Sequence, residues 1–538
     1  MNRIKVPPAV MLLAAVASAF TLGKAVHVDD AAHLFIARAI VHDPIHASNA
    51  LVNWDQLPEP VHALNIPHLM LYLFAAALKL GASVQMLHLF SAAFVVLALC
   101  LIWKLAALVA PRHALWVTSV VALGPAFLPA ANLMADVPTL AMWAGFFLCM
   151  ALREREGREL RGWQACAFAA AGCLIKYAAL ALLPAFVLLS VSRRRWRDLR
   201  ALCLPIGALL AWSAFNWFSY GGIHLLERGT QLGSADEGLP TFVALSAGRL
   251  PLWVLGLGAL SPFALAFAAR AHRRLLWICG LIGAAIAAAG LLVPLGDLPA
   301  FEGVNRTDAV LRGLFFANGL FLVVLARRAI AAGGELTAVL VTWVGTALAM
   351  AVFLAPFPAA RHVLLALPAL LLLLARAFPP APVPARAAFA ATAVLGVMLA
   401  LSDARRADVY RREAQAFPEA AWTVGHWGWQ WYASERGLRE YAPGQSRLEP
   451  GDVLIAPQTI HRQRFSAEDA QLLEPIGMKS IPASFLDLAR TATAAGGLYY
   501  YWAAVPWTFR AGPVETFKIY RVRSSPDLDG LASTRLPR

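Results

Sequence analysis

The chain has 538 residues, 59% of them hydrophobic and 14% charged, with a formal net charge of +14. That is too apolar for an ordinary water-soluble protein, and the arginines sit in short clusters between apolar runs rather than on one basic surface, which argues against a nucleic-acid partner. The cysteines Cys100, Cys149, Cys166, Cys173, Cys203 and Cys279 lie in or beside apolar runs without paired spacing, so neither a disulfide framework nor a zinc site is indicated.

In chain order, Arg3 and Lys5 precede an apolar helix near 7–25. Ala17-Ser18-Ala19 inside it has the look of a signal-peptide cleavage site, but a first transmembrane helix fits better because apolar runs of about 18 or more residues recur as far as Ser402. Both readings leave Val26 onward outside, beginning a long outer segment, 26–85. Within it, Leu34, Ala37 and Ile40 follow Asp29-Asp30 at helical spacing, and Phe74 to Gly81 reads as an amphipathic helix on the outer surface. A spanning helix near 86–109 follows.

Lys and Arg mark cytoplasmic loops. The clusters fall at Arg3/Lys5, Lys104/Arg112, Arg153 to Arg161, Arg193 to Arg200, Arg270 to Arg274, Arg327/Arg328 and Arg376 to Arg386. The chain must cross an even number of times between any two of them, which makes hairpins of Ala114–Leu152, Trp163–Ser190 and Leu336–Ala375. Their midpoints carry Asp136, Lys176 and Arg361, the last in the proline-broken turn Ala355-Pro-Phe-Pro-Ala-Ala-Arg361-His362. Pairs near 201–219 with 243–268 and 275–294 with 313–326, and a last helix near 387–402, bring the total to about 13 spans, with the N-terminus inside and the tail outside. The fold class expected is an all-α polytopic membrane domain, 1–402, followed by an extracytoplasmic small α/β domain, 403–538. The tail's strands are Asp452 to Ala456 and Thr516 to Val522, with a helix near Glu468 between them. His426-Trp427-Gly-Trp429-Gln-Trp431-Tyr432 reads first as a core cluster and second as a sugar-stacking or interfacial surface.

Ionisable groups at membrane depth are costly and mark function, although groups at helix ends also reach water or headgroups. Asp29 and Asp30 suit a helix N-terminus as caps. Their functional reading is one carboxylate as general base, with its neighbour binding a metal or fixing the first. Asp136 with Pro138 also has a structural reading as a helix start. Lys176 beside Tyr177, and Arg361, would hold an anion. Cations near carboxylates beneath a lipid headgroup suit a phosphate-bearing lipid substrate.

The Asp29-Asp30 pair after the first helix, the surface helix ending Leu-Lys79-Leu-Gly81, the Met134-Ala-Asp136-Val-Pro138 turn, the Lys176-Tyr177 hairpin and the Arg361 stretch, in this order, resemble the GT-C membrane glycosyltransferases. The branch nearest in look holds the bacterial aminoarabinose transferases and the protein O-mannosyltransferases, and the resemblance covers about residues 10–400. It implies transfer of a sugar from a polyprenyl-phosphate donor to an extracytoplasmic acceptor hydroxyl with inversion, in a bacterial inner membrane, among membrane lipids. It implies Asp29 as the base with Asp30 as its catalytic partner, Asp136 in metal or acceptor handling, and Lys176 with Arg361 at the donor phosphate; Tyr177 and His362 are substrate-binding candidates. Asn65 and His68 join the substrate-binding set. No cofactor is called for with certainty; a divalent metal ion is left open, with Asp30 and Asp136 as candidate ligands. The sequence departs from the aminoarabinose branch where Asn65-Ile-Pro67 replaces Lys-Pro-Pro and Arg361-His362 replaces Arg-Tyr. Two other classes stay on the table: a multi-span transporter, and a polysaccharide polymerase or ligase using lipid-linked sugars.

Overall fold

The computed structural model describes residues 5–64, 66–227, 238–268, 272–292, 305–357, 359–493, 497–499 and 505–523. Helix α1 (Pro8–Leu22) starts behind Pro7, and α2 (Asp30–His42) begins after a turn carrying Asp29. A two-stranded hairpin, β1 (Leu51–Asn53) and β2 (Pro58–Pro60), precedes α3 (Leu69–Lys79) and the long α4 (Val84–Val109). Ser83 caps α4, accepting the Met86 amide at 3.3 Å.

The three stretches expected to form hairpins each fold as two helices. They are α5 (Ala114–Ala122) with α6 (Asp136–Glu156), α7 (Leu160–Ile175) with α8 (Leu182–Ser192), and, later in the chain, Thr337–Ala349 with Leu367–Ala377. Between α8 and that third pair come α9 (Cys203–Tyr220), the single turn α10 (His224–Glu227), α11 (Gly238–Ala259), α12 (Arg273–Leu292) and α13 (Arg306–Ala331). The third pair is therefore α14 and α15, joined by a π-helical turn at Met350–Leu354 and a 3-10 turn at Ala360–Leu365.

Among the described residues, six helical segments are long and apolar enough to cross a membrane, and five shorter apolar helices accompany them. Large apolar side chains such as Trp217, Phe218, Leu281 and Leu314 point outward rather than into the bundle. An exposed apolar face of this extent fits lipid rather than water, and the protein is an integral membrane protein. Small residues permit close helix packing: a Cβ on Gly283 would collide with the carbonyl of Gly313 on the neighbouring helix, and the converse holds.

Helix α6 gives the bundle two distinct ends. Asp136 opens it, and Arg153, 17 positions on and so roughly 25 Å away, pairs with Asp198 through two hydrogen bonds of 2.8 and 3.0 Å. Arg155 pairs with Glu335 near that second end at 2.8 Å. Arg193 and Arg195 pair with Glu154 at that end too, while Lys176 and Arg361 from the other two turns meet Asp136 at the first.

The last membrane helix was expected near 387–402. Instead α16 (Pro382–Ala416) runs unbroken for 35 residues, carrying the chain past Asp403. Beyond it stand β3 (Trp422–Thr423), α17 (Trp427–Arg436), β4 (Arg439–Glu440), β5 (Val453–Pro457), α18 (Ala467–Leu472), β6 (Leu473–Ile481), β7 (Ala489–Arg490), β8 (Thr508–Phe509) and β9 (Glu515–Val522). A mixed sheet runs β4-β3-β5-β9-β6, parallel across the first three strands and antiparallel across the rest. The aromatic run is core: Trp429 is fully buried and packs against Phe417, Tyr410 and Phe517.

Candidate active site

Asp29 stands at the N-cap of α2, but its carboxylate makes no capping bond. The residue before it, Val28, has φ +46°, a left-handed conformation that a β-branched side chain rarely adopts. Such strain persists only where neighbours hold the backbone. They come from α17: Tyr432 Oη accepts the Val26 amide at 2.9 Å, and Gly428 packs directly on the Val26 carbonyl.

Asp136 starts α6 behind a tight turn in which Asn132 Oδ1 accepts the Met134 amide at 2.9 Å. Lys176 follows α7 in extended conformation (φ −155°, ψ 129°), where the helix ends. Arg361 sits in the 3-10 turn between α14 and α15; its amide donates to the carbonyl of Leu498, in the tail, at 3.0 Å. Tyr499 lies beside it, ring centre 5.9 Å from the guanidinium carbon.

These four side chains form one alternating chain of charge. Lys176 Nζ donates to Asp136 Oδ1 at 2.7 Å, Arg361 Nη1 lies 3.6 Å from Asp136 Oδ2, and the same nitrogen donates to Asp29 Oδ2 at 2.8 Å. All four line a cavity of about 450 Å³, joined by His33, Trp54, Tyr177 and His362. Arg361 and Asp136 are almost wholly buried, whereas Lys176 and Asp29 keep 26% and 28% of their side chains open. The outer members of the chain are thus the ones an entering ligand meets first.

The structure brings Asp29, Asp136, Lys176, Tyr177, Arg361 and His362 together in this lining and leaves Asp30 and His68 out of it. Asp30 is fully buried on another side of α2, its Oδ2 accepting the His27 amide at 3.1 Å. Consecutive residues near a helix start point about 100° apart, and here only Asp29 of the two aspartates turns toward the cavity. Burial pushes the Asp30 carboxyl up to about 7. His68 is buried against Trp212, ring centres 5.3 Å apart. Asn65 lies outside the described residues. Tyr177 is fixed by its neighbours: its Oη bonds His224 Nδ1 at 2.8 Å and accepts from Trp212 Nε1 at 3.0 Å.

His33 and Trp54 are lining residues that the sequence reading did not single out. His33 was findable, since four residues after Asp29 a helix returns to the same face, and its Nδ1 bonds the Leu133 carbonyl at 2.9 Å. Leu498 and Tyr499 left no local signal.

The candidate donors among the described residues do not assemble a metal site. Among the described residues no group of three His, Cys, Asp or Glu side chains converges. Asp136 is engaged by Lys176 and Arg361, and Asp30, the other candidate ligand, is turned away from the lining. Arg361 stands between the two carboxylates where a bridging cation would.

No family model matches the sequence, and no curated protein matches it. Among solved structures, the chain is similar to ArnT from Cupriavidus metallidurans bound to undecaprenyl phosphate, at 15% identity over 95% of this chain and 97% of that one, with a TM-score of 0.38. It is similar to the archaeal oligosaccharyltransferase AglB from Archaeoglobus fulgidus, in complex with an inhibitory peptide and a dolichol-phosphate, at 14% identity over 82% and 60% of the two chains, TM-score 0.33. The arabinosyltransferase EmbB from Mycobacterium smegmatis shares 16% identity over 74% and 42%, TM-score 0.33. These scores all lie below 0.5.

Proposed function

We propose that this protein is a GT-C-type membrane glycosyltransferase that moves a sugar from a polyprenyl-phosphate donor to a hydroxyl on an extracytoplasmic acceptor. The observation that carries the reading is the chain Lys176–Asp136–Arg361–Asp29, two cations and two carboxylates drawn from four distant segments into one cavity. Lys176 and Arg361 supply a cationic clamp for phosphate, and Asp29 is the carboxylate at the open end.

The donor phosphate competes with Asp29 for the Arg361 guanidinium. When it takes that hydrogen bond, Asp29 Oδ2 is released toward the acceptor. Asp29 then accepts the proton of the acceptor hydroxyl as that oxygen attacks the anomeric carbon. The bond from this carbon to the phosphate oxygen breaks, its electron pair leaves with the polyprenyl phosphate, and the configuration inverts. A positioned base contributes on the order of 10²–10⁴ in rate, and the clamp stabilises the leaving group in a setting where a charge-assisted hydrogen bond is strong. Asp136 keeps Lys176 and Arg361 aligned before the phosphate arrives.

The topology belongs to the same proposal: about 13 spans, the N-terminus cytoplasmic, a membrane domain to residue 402, and the tail as an extracytoplasmic domain of a bacterial inner-membrane protein. The basic clusters at the far end of α6 support the orientation. The test is to incubate purified protein with a panel of polyprenyl-phosphate sugars and read by mass spectrometry which donor is consumed. Consumption of one donor, lost on replacing Asp29, is the expected result; no consumption of any donor overturns the reading.

A further inference from the structure

The tip of the β1–β2 hairpin contributes residues to the active-site cavity and to a second one. Trp54 lines the first, while the next two residues, Asp55 and Gln56, line an open groove of about 800 Å³ against the tail segment 458–465. The tip is fastened to the tail. His426 Nε2 donates to the Asp55 carbonyl at 2.7 Å, His461 Nε2 to Asp55 Oδ1 at 2.9 Å, and the Arg464 amide to Gln56 Oε1 at 2.8 Å.

The charge of this groove is unbalanced. Among the described residues Asp55 is its one acidic lining residue, and His461 already engages it. Arg462 donates to the Pro457 carbonyl at 3.0 Å, and neither it nor Arg464 forms an ion pair among the described residues. Many other tail arginines are paired: Arg405 with Asp487 at 3.1 Å, Arg436 with Glu419 at 2.7 Å and Arg439 with Asp452 at 2.8 Å. Two guanidinium groups left to a concave polar surface, with Phe465 beside them, match a phosphate carried on a saccharide.

We propose that this groove docks a phosphate ester on the acceptor, so that the acceptor hydroxyl reaches past Trp54 to Asp29. The proposal rests on the glycosyltransferase reading. From Trp54 to Gln56 the backbone spans at most about 7 Å, so the two linings approach each other along the hairpin tip. The groove selects the acceptor and the inner cavity holds the donor phosphate.

The test uses the full chain in phosphatidylcholine nanodiscs, titrated with glucose 6-phosphate, glucose, inorganic phosphate and, separately, undecaprenyl phosphate. Glucose 6-phosphate is expected to bind more tightly than glucose or inorganic phosphate, and its affinity to fall roughly 10-fold or more in the double variant Arg462→Gln/Arg464→Gln. Undecaprenyl phosphate binding serves as the parallel readout of the inner cavity, where Lys176→Met weakens it and the groove variant does not. Displacement of glucose 6-phosphate by phosphatidic acid added to the discs makes the acceptor phosphate lipid-borne; no displacement makes it part of a soluble glycan. Equal glucose 6-phosphate binding by the groove variant, or inorganic phosphate binding as tightly, overturns the groove. Failure of undecaprenyl phosphate to bind the unaltered chain would instead overturn the glycosyltransferase reading.

Discussion

Gly428, in the first turn of α17, packs so closely on the carbonyl of Val26 that a Cβ there would overlap it. This contact and the Tyr432 hydrogen bond restrain the backbone that turns through Val28 into Asp29. Gly428→Ala is therefore expected to lower turnover by roughly an order of magnitude or more by misplacing the proposed base, in line with the sensitivity of catalysis to small displacements. Gly207→Ala, within α9 and with open space around it, is expected to leave turnover unchanged and to stabilise the helix by about 0.5–1 kcal/mol. Parallel assays of turnover and thermal unfolding separate the two.

The adjacent aspartates should part company under mutation. Asp29→Asn removes the proposed proton acceptor and is expected to reduce turnover by about 10²–10⁴ with membrane insertion and polyprenyl-phosphate binding retained. Asp30→Asn keeps the shape of a buried group outside the cavity and is expected to retain most of the turnover. Near-normal turnover in Asp29→Asn would remove it from the base role.

Asp30 also carries a pH signature. Its folded-state value of about 7 lies above its ordinary 3.8, chiefly through burial. The neutral acid is the form the fold accepts, so this contribution to stability is complete below about pH 4 and is lost as pH rises through about 7. Its size is on the order of a few kcal/mol. Thermal unfolding at about pH 5 and about pH 9 should show a smaller drop in Asp30→Asn than in the unaltered chain; an identical drop would show that Asp30 ionises freely in the fold.

Arg361 meets two carboxylates as well as the proposed phosphate, a task for a planar, multiply donating group. Arg361→Lys keeps the charge and is expected to weaken undecaprenyl phosphate binding by roughly 10-fold, with a larger fall in turnover. Arg361→Met leaves Asp29 and Asp136 without their shared cation and should lower thermal stability too. Unchanged binding in both variants would place the phosphate elsewhere.

The sequence makes the four central charges legible because ionisable side chains are scarce in apolar stretches and the basic loops fix how often the chain crosses. Asp136, Lys176 and Arg361 each fall at the turn of a hairpin, and the structure joins them. The side on which each neighbour lies is a matter of helix geometry that composition does not carry. Asp29 and Asp30 look equivalent as a pair, yet one lines the cavity and the other is packed beneath it. The tail's contribution was invisible for another reason. Leu498 reaches Arg361 through its main-chain oxygen, and a carbonyl group leaves no trace in residue identity. The change to polar composition at Asp403 suggested a break that α16 does not make, because helical hydrogen bonding continues irrespective of whether the surroundings are lipid or water.

That unbroken α16 bears on how the tail can be studied. At 35 residues it is a rod of roughly 50 Å, and Asp403 partway along it is held by Lys24 at 3.8 Å and His27 at 3.6 Å, with Thr491 and Tyr499 also bonded to it. A fragment cut to begin at residue 403 would start in mid-helix and strip a buried carboxylate of Lys24 and His27. The tail is consequently an outgrowth of the helical bundle, to be studied in the intact chain rather than as an excised module.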